Sequence, residues 1–482
     1  MDYATGVPHI SIPLYEIKVG NYRLPITIAY HASGIKVQDM ATPVGLGWTL
    51  NAGGVVNRQC KGTADEIQDT LLLTYKTESE IDHAMANGAR TNYWWSRLAH
   101  KGEGDTESDR YTFSINGKSS VFRYCVTDHS LRTIPTSDVK IERIQTGGYL
   151  ITDSDGTKYY FTYGETNSDY NSSTLTATTT WYITRIEPSS STIPIVFSYT
   201  SGRGYTMSYI TQMDNDGTSY DMVQNIYGGY DLTENQYYSD FYQSYGGLYH
   251  GTVLLSQITW ANNTISFVYA QDRLERGWSL DRLTSMTVKY NNQTVRTITF
   301  DNNHYLGSSQ SNYRMQLQGI TIQGSSSAEA MTYGFSYNST QLPNYFIIGT
   351  DQTCHEDYWG YYNGTSQSWI PSDDYLTTSS SSNRAPNAYM TAGTLTGITY
   401  PTGGTAQLIM EPNTLSDNRT WGGLRVKRIT CIDSDGNTII SRKDYQYEQG
   451  NPAQDFTDEL YSYDVDYYYG YRDVRGLQWG IG

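Results

Sequence analysis

Three Asp-x-Asp-Gly runs carry the side chains that are most obviously suited to chemistry in this sequence. They lie at residues 153–156, 214–217 and 433–436. Closely spaced carboxylates favour a hard cation such as calcium. The candidate ligands are Asp153, Asp155, Asp214, Asp216, Asp433 and Asp435. A complete EF-hand loop also needs an acidic residue two places earlier, where Ile151, Gln212 and Cys431 stand. The runs therefore predict β-turns first, with Asp accepting backbone N–H bonds and Gly supplying a positive φ, and a calcium site second.

Two further groups of reactive side chains are less suited to a site. Residues 354–357 read Cys-His-Glu-Asp, but alternate residues of a strand face opposite sides, so at most two of the four would share a face. His31, in Tyr-His-Ala-Ser-Gly, is predicted to be a hydrogen-bonded turn residue rather than a catalyst. The chain contains no HExxH, GxSxG or P-loop motif. We therefore predict no enzyme, although spacing alone leaves open a glycosidase-type pair among the 49 acidic residues.

Aromatic clusters are the stronger functional candidates. Residues 358–362 read Tyr-Trp-Gly-Tyr-Tyr, which gives Tyr358, Trp359, Tyr361 and Tyr362 as candidate binding residues. Flat amphipathic rings of this kind stack on sugars or anchor a protein partner. The alternative is that these tyrosines line a sheet, with their hydroxyl groups at its wet edge.

Composition favours an all-β protein. The chain of 482 residues contains 46 Tyr and 44 Gly, with only 17% charged residues. Tyr suits a pleated, half-buried surface, whereas Gly favours turns. The formal net charge of −16 excludes a phosphate backbone as partner, and no basic segment suits an anionic membrane.

The cysteines and the apolar residues exclude further classes of protein. Cys60, Cys125, Cys354 and Cys431 lie at least 65 residues apart, so no zinc spacing exists and free thiols are predicted. No cofactor is expected apart from the calcium alternative. No run approaches the ~18 consecutive apolar residues of a membrane span, and no signal peptide is visible.

Six segments share one hairpin pattern, in which an early aliphatic residue or Met precedes a turn and the second strand closes on an aromatic residue or Met. They are Trp181–Tyr199, Leu254–Tyr269, Leu283–Phe300, Leu317–Tyr337, Leu395–Met410 and Leu424–Tyr447. This pattern predicts an antiparallel array of hairpins that forms curved sheets. Asn116-Gly117 and Asp155-Gly156 predict two more hairpins.

The organisation along the chain follows from these patterns. Residues 1–175 are predicted to form an N-terminal β domain, with a small helical insert near residues 77–100 that begins with a Thr77/Glu80 capping box. Residues 176–450 hold the hairpin array, interrupted by long loop excursions at 205–251 and 351–393. Residues 451–482 form a Tyr-rich tail, which suggests that the chain is the front portion of something longer.

Several ordered phrases resemble a known family. They are TGVPHISIPLYEIKVG at 5–20, YHASGIKV at 30–37, GLGWTLNAGGVVNR at 45–58, DYWGYYNG at 357–364, GITYPTGGTAQLIMEPN at 397–413 and GGLRVKRI at 422–429. Together they resemble the region that precedes the repeats in large bacterial Rhs/YD-repeat proteins. The resemblance implies a β-shell and a secreted or cell-surface protein that carries a C-terminal effector. The regular Tyr-Asp repeats and the self-cleaving core of that family are absent here, so its cleavage activity is not implied.

These observations predict a non-enzymatic structural segment that begins or caps an Rhs-like β-shell. The expected partner is its own C-terminal region or effector, with a cell-surface glycan or protein as the other candidate. An adhesin or carbohydrate-binding module that uses the Tyr/Trp-rich loops is the first alternative. A hydrolase of unknown substrate is the second.

Overall fold

The structure is all-β. It is a computed structural model that describes residues 5–60, 109–124, 130–145, 147–169, 172–224, 230–326, 330–346, 354–357, 359–367, 385–414 and 420–447. Within these ranges the chain forms antiparallel strands and one 3-10 turn, Ala388–Thr391, without any α-helix. The predicted fold class is confirmed. The helical insert predicted near 77–100 lies outside the described residues.

The first three strands of the chain form a small separate sheet, in the order β1-β2-β3. Its strands are β1 Ile10–Val19, β2 Tyr22–Tyr30 and β3 Trp48–Asn51. The alternation of apolar and polar residues in β1 and β2 gives each strand one buried face. Gly20 closes their turn with φ +58°, a conformation that glycine adopts without strain.

The remaining strands form one long sheet and two short pairs. In the first half they are β4 Gly54–Gln59, β5 Arg110–Ile115, β6 Lys118–Tyr124, β7 Leu131–Ile134, β8 Lys140–Arg143, β9 Tyr149–Thr152, β10 Lys158–Asp169, β11 Ser172–Glu187, β12 Ile195–Ser201, β13 Tyr205–Gln224 and β14 Tyr230–His250. In the second half they are β15 Val253–Trp260, β16 Asn263–Glu275, β17 Trp278–Tyr290, β18 Gln293–Asp301, β19 His304–Leu306, β20 Arg314–Gln316, β21 Gly319–Gln323, β22 Met331–Tyr337, β23 Cys354–Glu356, β24 Tyr362–Gln367, β25 Leu395–Thr399, β26 Thr405–Thr414, β27 Thr420–Ile432 and β28 Ile439–Asp444.

The long sheet is an open array of neighbouring antiparallel strands. It runs from β8 through β9, β10, β11 and β12 to β15, and then through β16, β17, β18, β21, β22, β25, β26 and β27 to β28. A branch of four strands, β4 to β7, joins through β11. Strand β11 crosses residue 175, so the two predicted N-terminal and array regions share this sheet.

The predicted excursions differ from simple loops. The segment at 205–251 contains β13 and β14, which pair with each other over most of their length. Polar and glycine-rich composition concealed this hairpin because its strands lack a regular apolar alternation. In the second excursion, β23 pairs with β24, and residues 368–384 lie outside the described part of the chain.

Both predicted Gly-containing hairpins are confirmed. Asn116 and Gly117 have φ of +37° and +83° and join β5 to β6, as a type I′ turn requires. Gly156 has φ +87° in the turn between β9 and β10. Local turn chemistry therefore fixes these registers.

One face of the long sheet packs against the three-stranded sheet. Ring contacts span this interface, from Tyr22 on Tyr159 at 6.4 Å, through Tyr15 on Trp260 at 6.3 Å, to Trp48 on Phe335 at 4.6 Å between ring centroids. These contacts involve strands from β10 to β22, and the buried side chains form a single large core cluster. The early aliphatic residues of the six repeats line this cluster: Ile186, Ile258, Met286, Ile320 and Ile398 are buried, and Ile429 packs at its margin.

Closing tyrosines of the repeats share a hydrogen bond that we call the tyrosine clasp. In each, the hydroxyl group donates to a backbone carbonyl near the start of the same repeat. The pairs are Tyr199 to Ile183 at 2.6 Å, Tyr269 to Leu255 at 3.0 Å, Tyr337 to Leu317 at 2.5 Å and Tyr447 to Val426 at 2.6 Å. A β-bulge stands immediately before Tyr199, Tyr269 and Tyr337. A bulge thus occupies the same place in three of the four clasped repeats, and bulges locally re-aim the side chain that follows.

Removing one clasp should have a modest, measurable cost. We expect Tyr269→Phe to lower the free energy of unfolding by about 1 kcal/mol, because the Leu255 carbonyl loses its donor while the ring stays packed. Urea denaturation followed by tryptophan fluorescence measures it. Tyr290→Phe is the matched control, since Tyr290 is exposed. Equal effects for the two variants would contradict a stabilising role for the clasp.

Candidate functional site

The connection between β2 and β3 is unusual because it has no regular strand and is nevertheless largely buried. We call residues 31–47 the buried segment. Its backbone is held by distant strands: the amide of Leu46 donates to the carbonyl of Met315 at 2.7 Å, and the amide of Leu283 donates to that of Pro43, also at 2.7 Å. A buried loop without ladder partners needs such bonds, since unpaired backbone groups are costly. The segment is therefore fastened to the long sheet.

Three buried arginines complete this fastening, and we call them the arginine cluster. Arg314 donates to the carbonyl of Val37 at 2.6 Å, Arg273 to that of Ala41, and Arg276 to Oε1 of Gln38 at 3.3 Å. Each of these arginines is at most 5% exposed. Its fork of donors suits carbonyl oxygens that have no strand partner. Arg314 and Arg273 thus supply hydrogen bonds that a neighbouring strand would otherwise make, and Arg276 holds a side chain of the segment.

One buried carboxylate and one aromatic ring offset part of the charge of the arginine cluster. Glu275 is fully buried; its Oε1 accepts from the amide of Met315 at 2.8 Å, and its Oε2 lies 3.7 Å from Nε of Arg273. Tyr345 lies between two guanidinium groups, with Arg314 at 3.3 Å and Arg276 at 4.8 Å from its ring centroid. Burial raises the pKa of the Glu275 carboxyl and lowers the pKa of Arg276 to about 10. Closed to solvent, these groups position backbone rather than meet a substrate.

A substitution at Gly47 would report how tightly the end of the buried segment is packed. A Cβ at Gly47 would lie 2.6 Å from Cε2 of Tyr30, whose side chain is buried. Gly436 has almost the same φ, +74° against +75°, but open space around it. Gly436→Ala should therefore report the backbone strain alone, about 1–2 kcal/mol. We expect Gly47→Ala to lower the urea midpoint clearly further, and similar midpoints would show that Tyr30 moves freely aside.

The predicted binding aromatics contribute to a junction between three of the shared phrases. A Cβ on Gly34 would lie 2.7 Å from Cε1 of Tyr361, and one on Gly422 would lie 2.3 Å from Cγ of Trp359. Both rings therefore lie directly on glycine backbone. Tyr361 is only 9% exposed and clusters with Met390 and Leu424, and Trp359 packs against this cluster. The faces of these two rings therefore pack against other parts of the protein.

The other two predicted aromatics are placed differently. Tyr362 is half-buried and meets the ring of Tyr389 at 5.4 Å in an edge-on contact. Tyr389 itself is half-exposed, although it was not among the predicted residues. Tyr358 lies outside the described residues. Of the three predicted residues that the structure describes, only Tyr362 borders an exposed ring.

The first Asp-x-Asp-Gly run forms the turn between β9 and β10. Asp153 Oδ1 accepts from Nζ of Lys118 at 2.6 Å and from the amide of Ser154 at 2.7 Å. Asp155 accepts from the amide and hydroxyl of Thr157 at 2.8 and 2.9 Å. The carboxylates serve turn and ion-pair bonds in this structure.

The third run repeats this geometry between β27 and β28. Asp433 accepts from the amide of Ser434 at 2.7 Å, and Asp435 accepts from the amides of Asn437 and Thr438 at 2.9 and 2.8 Å. The hydroxyl of Thr438 also donates to Asp435, and this bond together with the two amides stabilises the ionised form and lowers the pKa of Asp435.

The second run lies within a strand, and the two histidines of the sequence analysis lie against different neighbours. The backbone of Asp214 and Asp216 lies within β13 rather than in a turn. Nε2 of His31 lies 2.5 Å from Oγ of Ser33, and Nδ1 of His355 lies 2.8 Å from the carbonyl of Thr365. Among the described residues, no group of three His, Cys, Asp or Glu side chains is arranged to hold a metal ion, and no helix has the length and hydropathy of a membrane span.

Two features of the site, the arginine cluster and the tyrosine clasp, were not predicted from the sequence. The arginine cluster gave no motif, because Arg273 and Arg276 belong to β16 and its turn while Arg314 follows 38 residues later. A charged residue at an inward-facing strand position indicates a buried polar contact only when the segment that packs against that strand is known. The tyrosine clasp was partly visible, as the aromatic residue that closes each repeat, but its carbonyl partner was not.

No protein-family model matches the chain, and no curated protein matches it. Solved structures similar to it include the N-terminal domain of effector protein SpvB from Salmonella typhimurium strain LT2, with 11% identity and a TM-score of 0.30 over 65% of this chain and 98% of that one. The TcdB2-TccC3 structure has 11% identity and a TM-score of 0.35, covering 69% of this chain. TcdB2-TccC3-TEV has 10% identity and a TM-score of 0.25, covering 92%. The match spans 16% of each of these two longer chains.

Proposed function

We propose that this chain is a non-enzymatic structural segment of a secreted or cell-surface Rhs/YD-repeat-type protein. It begins or caps a β-shell that holds or presents a C-terminal effector. Its partner is its own C-terminal region or that effector. The ordered phrases of the sequence support this assignment, together with a fold made of consecutive antiparallel hairpins.

The observation that carries the proposal is that one face of the long sheet is covered, while its edge strand β28 is open to a further strand. One face is covered by the three-stranded sheet and the buried segment, both of which come from the first 51 residues. Strand β28, in contrast, has a described partner on one side only, β27. A long sheet that is covered on one face and keeps an edge strand open to further pairing suits a portion of a larger wall.

The shared phrases coincide with this seal. The phrase at 5–20 contains the whole of β1, and those at 30–37 and 45–58 contain the two ends of the buried segment. The phrases at 357–364 and 422–429 meet the phrase at 30–37 at the aromatic junction. There, Tyr361 lies against Gly34 and Trp359 lies against Gly422. Five of the six shared phrases thus contribute to the three-stranded sheet, the buried segment or the aromatic junction.

Cryo-electron microscopy of the complete native gene product, whatever its length, tests the proposal. We expect the sheet to continue from β28 into a wall that encloses a volume. Protease digestion of the same product should leave the enclosed part intact. A particle without any enclosed volume would overturn the proposal, as would turnover of glycan or peptide substrates by the described region.

An adhesin or carbohydrate-binding module is the second candidate, and exposed aromatic side chains favour it. Tyr389 is 51% exposed beside Tyr362, and Tyr290 is also exposed. A glycan array separates the two functions, because a wall should give no saturable binding. Tyr389→Ser is the informative variant, since Trp359→Ala would also disturb the packing on Gly422. Saturable binding lost in Tyr389→Ser would favour the adhesin.

A further inference from the structure

Strand β28 presents an open edge with exposed apolar side chains. All six residues of the strand are exposed, and Ile439 and Ile440 are 58% and 65% exposed. Among the described residues, β27 is its sole strand partner. An exposed edge with apolar residues is a template for another strand, and proteins normally cover it.

The strands at this edge are positively charged in an acidic protein. Strands β26, β27 and β28 contain five Lys or Arg and two carboxylates, whereas the whole chain has a net charge of −16. Glu411 pairs with Arg425 and Lys427, and Asp444 pairs with Arg428 and Arg442. Each carboxylate is thus shared by two cations. When Asp433 and Asp435 in the turn between β27 and β28 are counted as well, the described edge keeps an excess of one positive charge for an acidic occupant.

The sequence that follows β28 has the matching pattern. After Tyr447, residues 448–482 contain seven acidic residues and two arginines. Tyr461, Tyr463, Val465 and Tyr467 alternate with Ser462, Asp464 and Asp466, which is the period of a strand with one apolar and one acidic face. The 13 residues between Tyr447 and Tyr461 span up to roughly 40 Å when extended, enough to return along β28.

We propose that residues 461–467 dock on the free edge of β28 as an additional antiparallel strand. The inference rests on the proposed function and specifies which segment of the chain continues the wall. Arg442 lies opposite Thr430, and Lys443 lies opposite Ile429, which packs at the margin of the core. The apolar face of the segment then lies on the same face of the sheet as Lys443. Its acidic face lies on the opposite face of the sheet, with Arg442.

Charge selects one register. With Asp464 opposite Arg442, Ser462 stands opposite Asp444 and Tyr463 stands opposite Lys443. Moving the segment by two residues so that Asp466 faces Arg442 would bring Asp464 opposite Asp444, and like charges directly opposite each other are destabilising. The first register is therefore the expected one.

Cysteine cross-linking in the full chain tests both docking and register. We expect Lys443→Cys/Tyr463→Cys to form an intramolecular disulfide under mild oxidation, identified by peptide mass spectrometry. Lys443→Cys/Asp464→Cys is the matched control and should cross-link at least tenfold less, because its second cysteine lies on the opposite face. A disulfide between two molecules would assign the edge to a second copy, and equal yields from both pairs would show no defined docking; either result overturns the proposal.

Hydrogen exchange supplies a second measurement that needs no new bond. The amides of Ile439–Asp444 that face away from β27 should be protected in the full chain. Asp464→Lys/Asp466→Lys should speed their exchange at least tenfold, whereas Asp473→Lys should leave it unchanged. Unprotected amides in the wild-type chain would overturn the docking. An enclosing wall seen by cryo-electron microscopy without this cross-link would leave the proposed function intact and reject only residues 461–467 as the next strand.

Discussion

Arg314→Ala is expected to lower the free energy of unfolding by about 3–5 kcal/mol, the range found when one partner of a buried charge network is removed. The guanidinium donates to the carbonyls of Val37 and Pro343 and lies 3.3 Å from the Tyr345 ring centroid. The variant leaves both carbonyls without this donor and removes one of the cations that surround Glu275. Because whole domains are stable by only about 5–15 kcal/mol, this loss should shift the urea midpoint strongly.

Two further variants separate the role of Arg314 from a general loss of charge. Arg314→Lys keeps the charge but lacks the planar fork, so we expect an intermediate loss. Arg185→Ala removes an exposed arginine that pairs with Glu187 and should change stability by less than about 1 kcal/mol. Limited proteolysis locates the effect, since early cleavage should move into residues 31–47. An Arg314→Ala protein as stable as Arg185→Ala would show that the buried segment is held without the arginine cluster.

Trp48→Ala should be comparably damaging, with an expected loss of about 3–5 kcal/mol. Trp48 is fully buried, and its ring lies 4.6 Å from Phe335 and 5.3 Å from Tyr30 between centroids. Its indole Nε1 donates to the hydroxyl of Tyr337 at 2.8 Å, and that hydroxyl donates to the carbonyl of Leu317. Removing the ring would leave a large cavity where the three-stranded sheet meets the long sheet, and would disturb a tyrosine clasp.

Matched aromatic variants make this result interpretable. Trp278 is 45% exposed, so Trp278→Ala should cost far less although it removes the same side chain. Trp48→Phe keeps part of the packing and should fall between the two, which provides a folded variant if Trp48→Ala fails to fold. Unfolding midpoints in urea and near-ultraviolet circular dichroism measure all three. Equal losses for Trp48→Ala and Trp278→Ala would contradict the placement of Trp48 in the core.

The hairpins could be predicted from the sequence because their causes are local. Asn116-Gly117 adopts positive φ at both positions, and only a few residue types do this without strain. The early aliphatic residues recur at one position in each repeat, and strand alternation places them on one face. The paired strands at 205–250 lacked this alternation and were predicted to be loop.

The candidate sites were harder to predict because a residue type does not reveal what surrounds it. The Asp153 and Asp433 runs looked like metal ligands or turns, and in the structure their carboxylates accept turn hydrogen bonds. Tyr361 and Trp359 looked like a binding platform, yet their rings lie on Gly34 and Gly422, which come from distant parts of the chain. No spacing in the sequence shows that a glycine 327 residues away leaves room for a ring.

The sequence by itself determined the all-β class, the turns and the apolar face of each strand, because backbone conformation and alternation depend on near neighbours. Only the tertiary structure decided that the first strands cover one face of the long sheet. It alone also showed that Arg273 and Arg314 donate to backbone carbonyls of residues 31–47, and that Arg276 holds the side chain of Gln38 in the same segment. The physical reason is burial: a carbonyl that loses water must find a donor, and which donor reaches it depends on how distant segments pack.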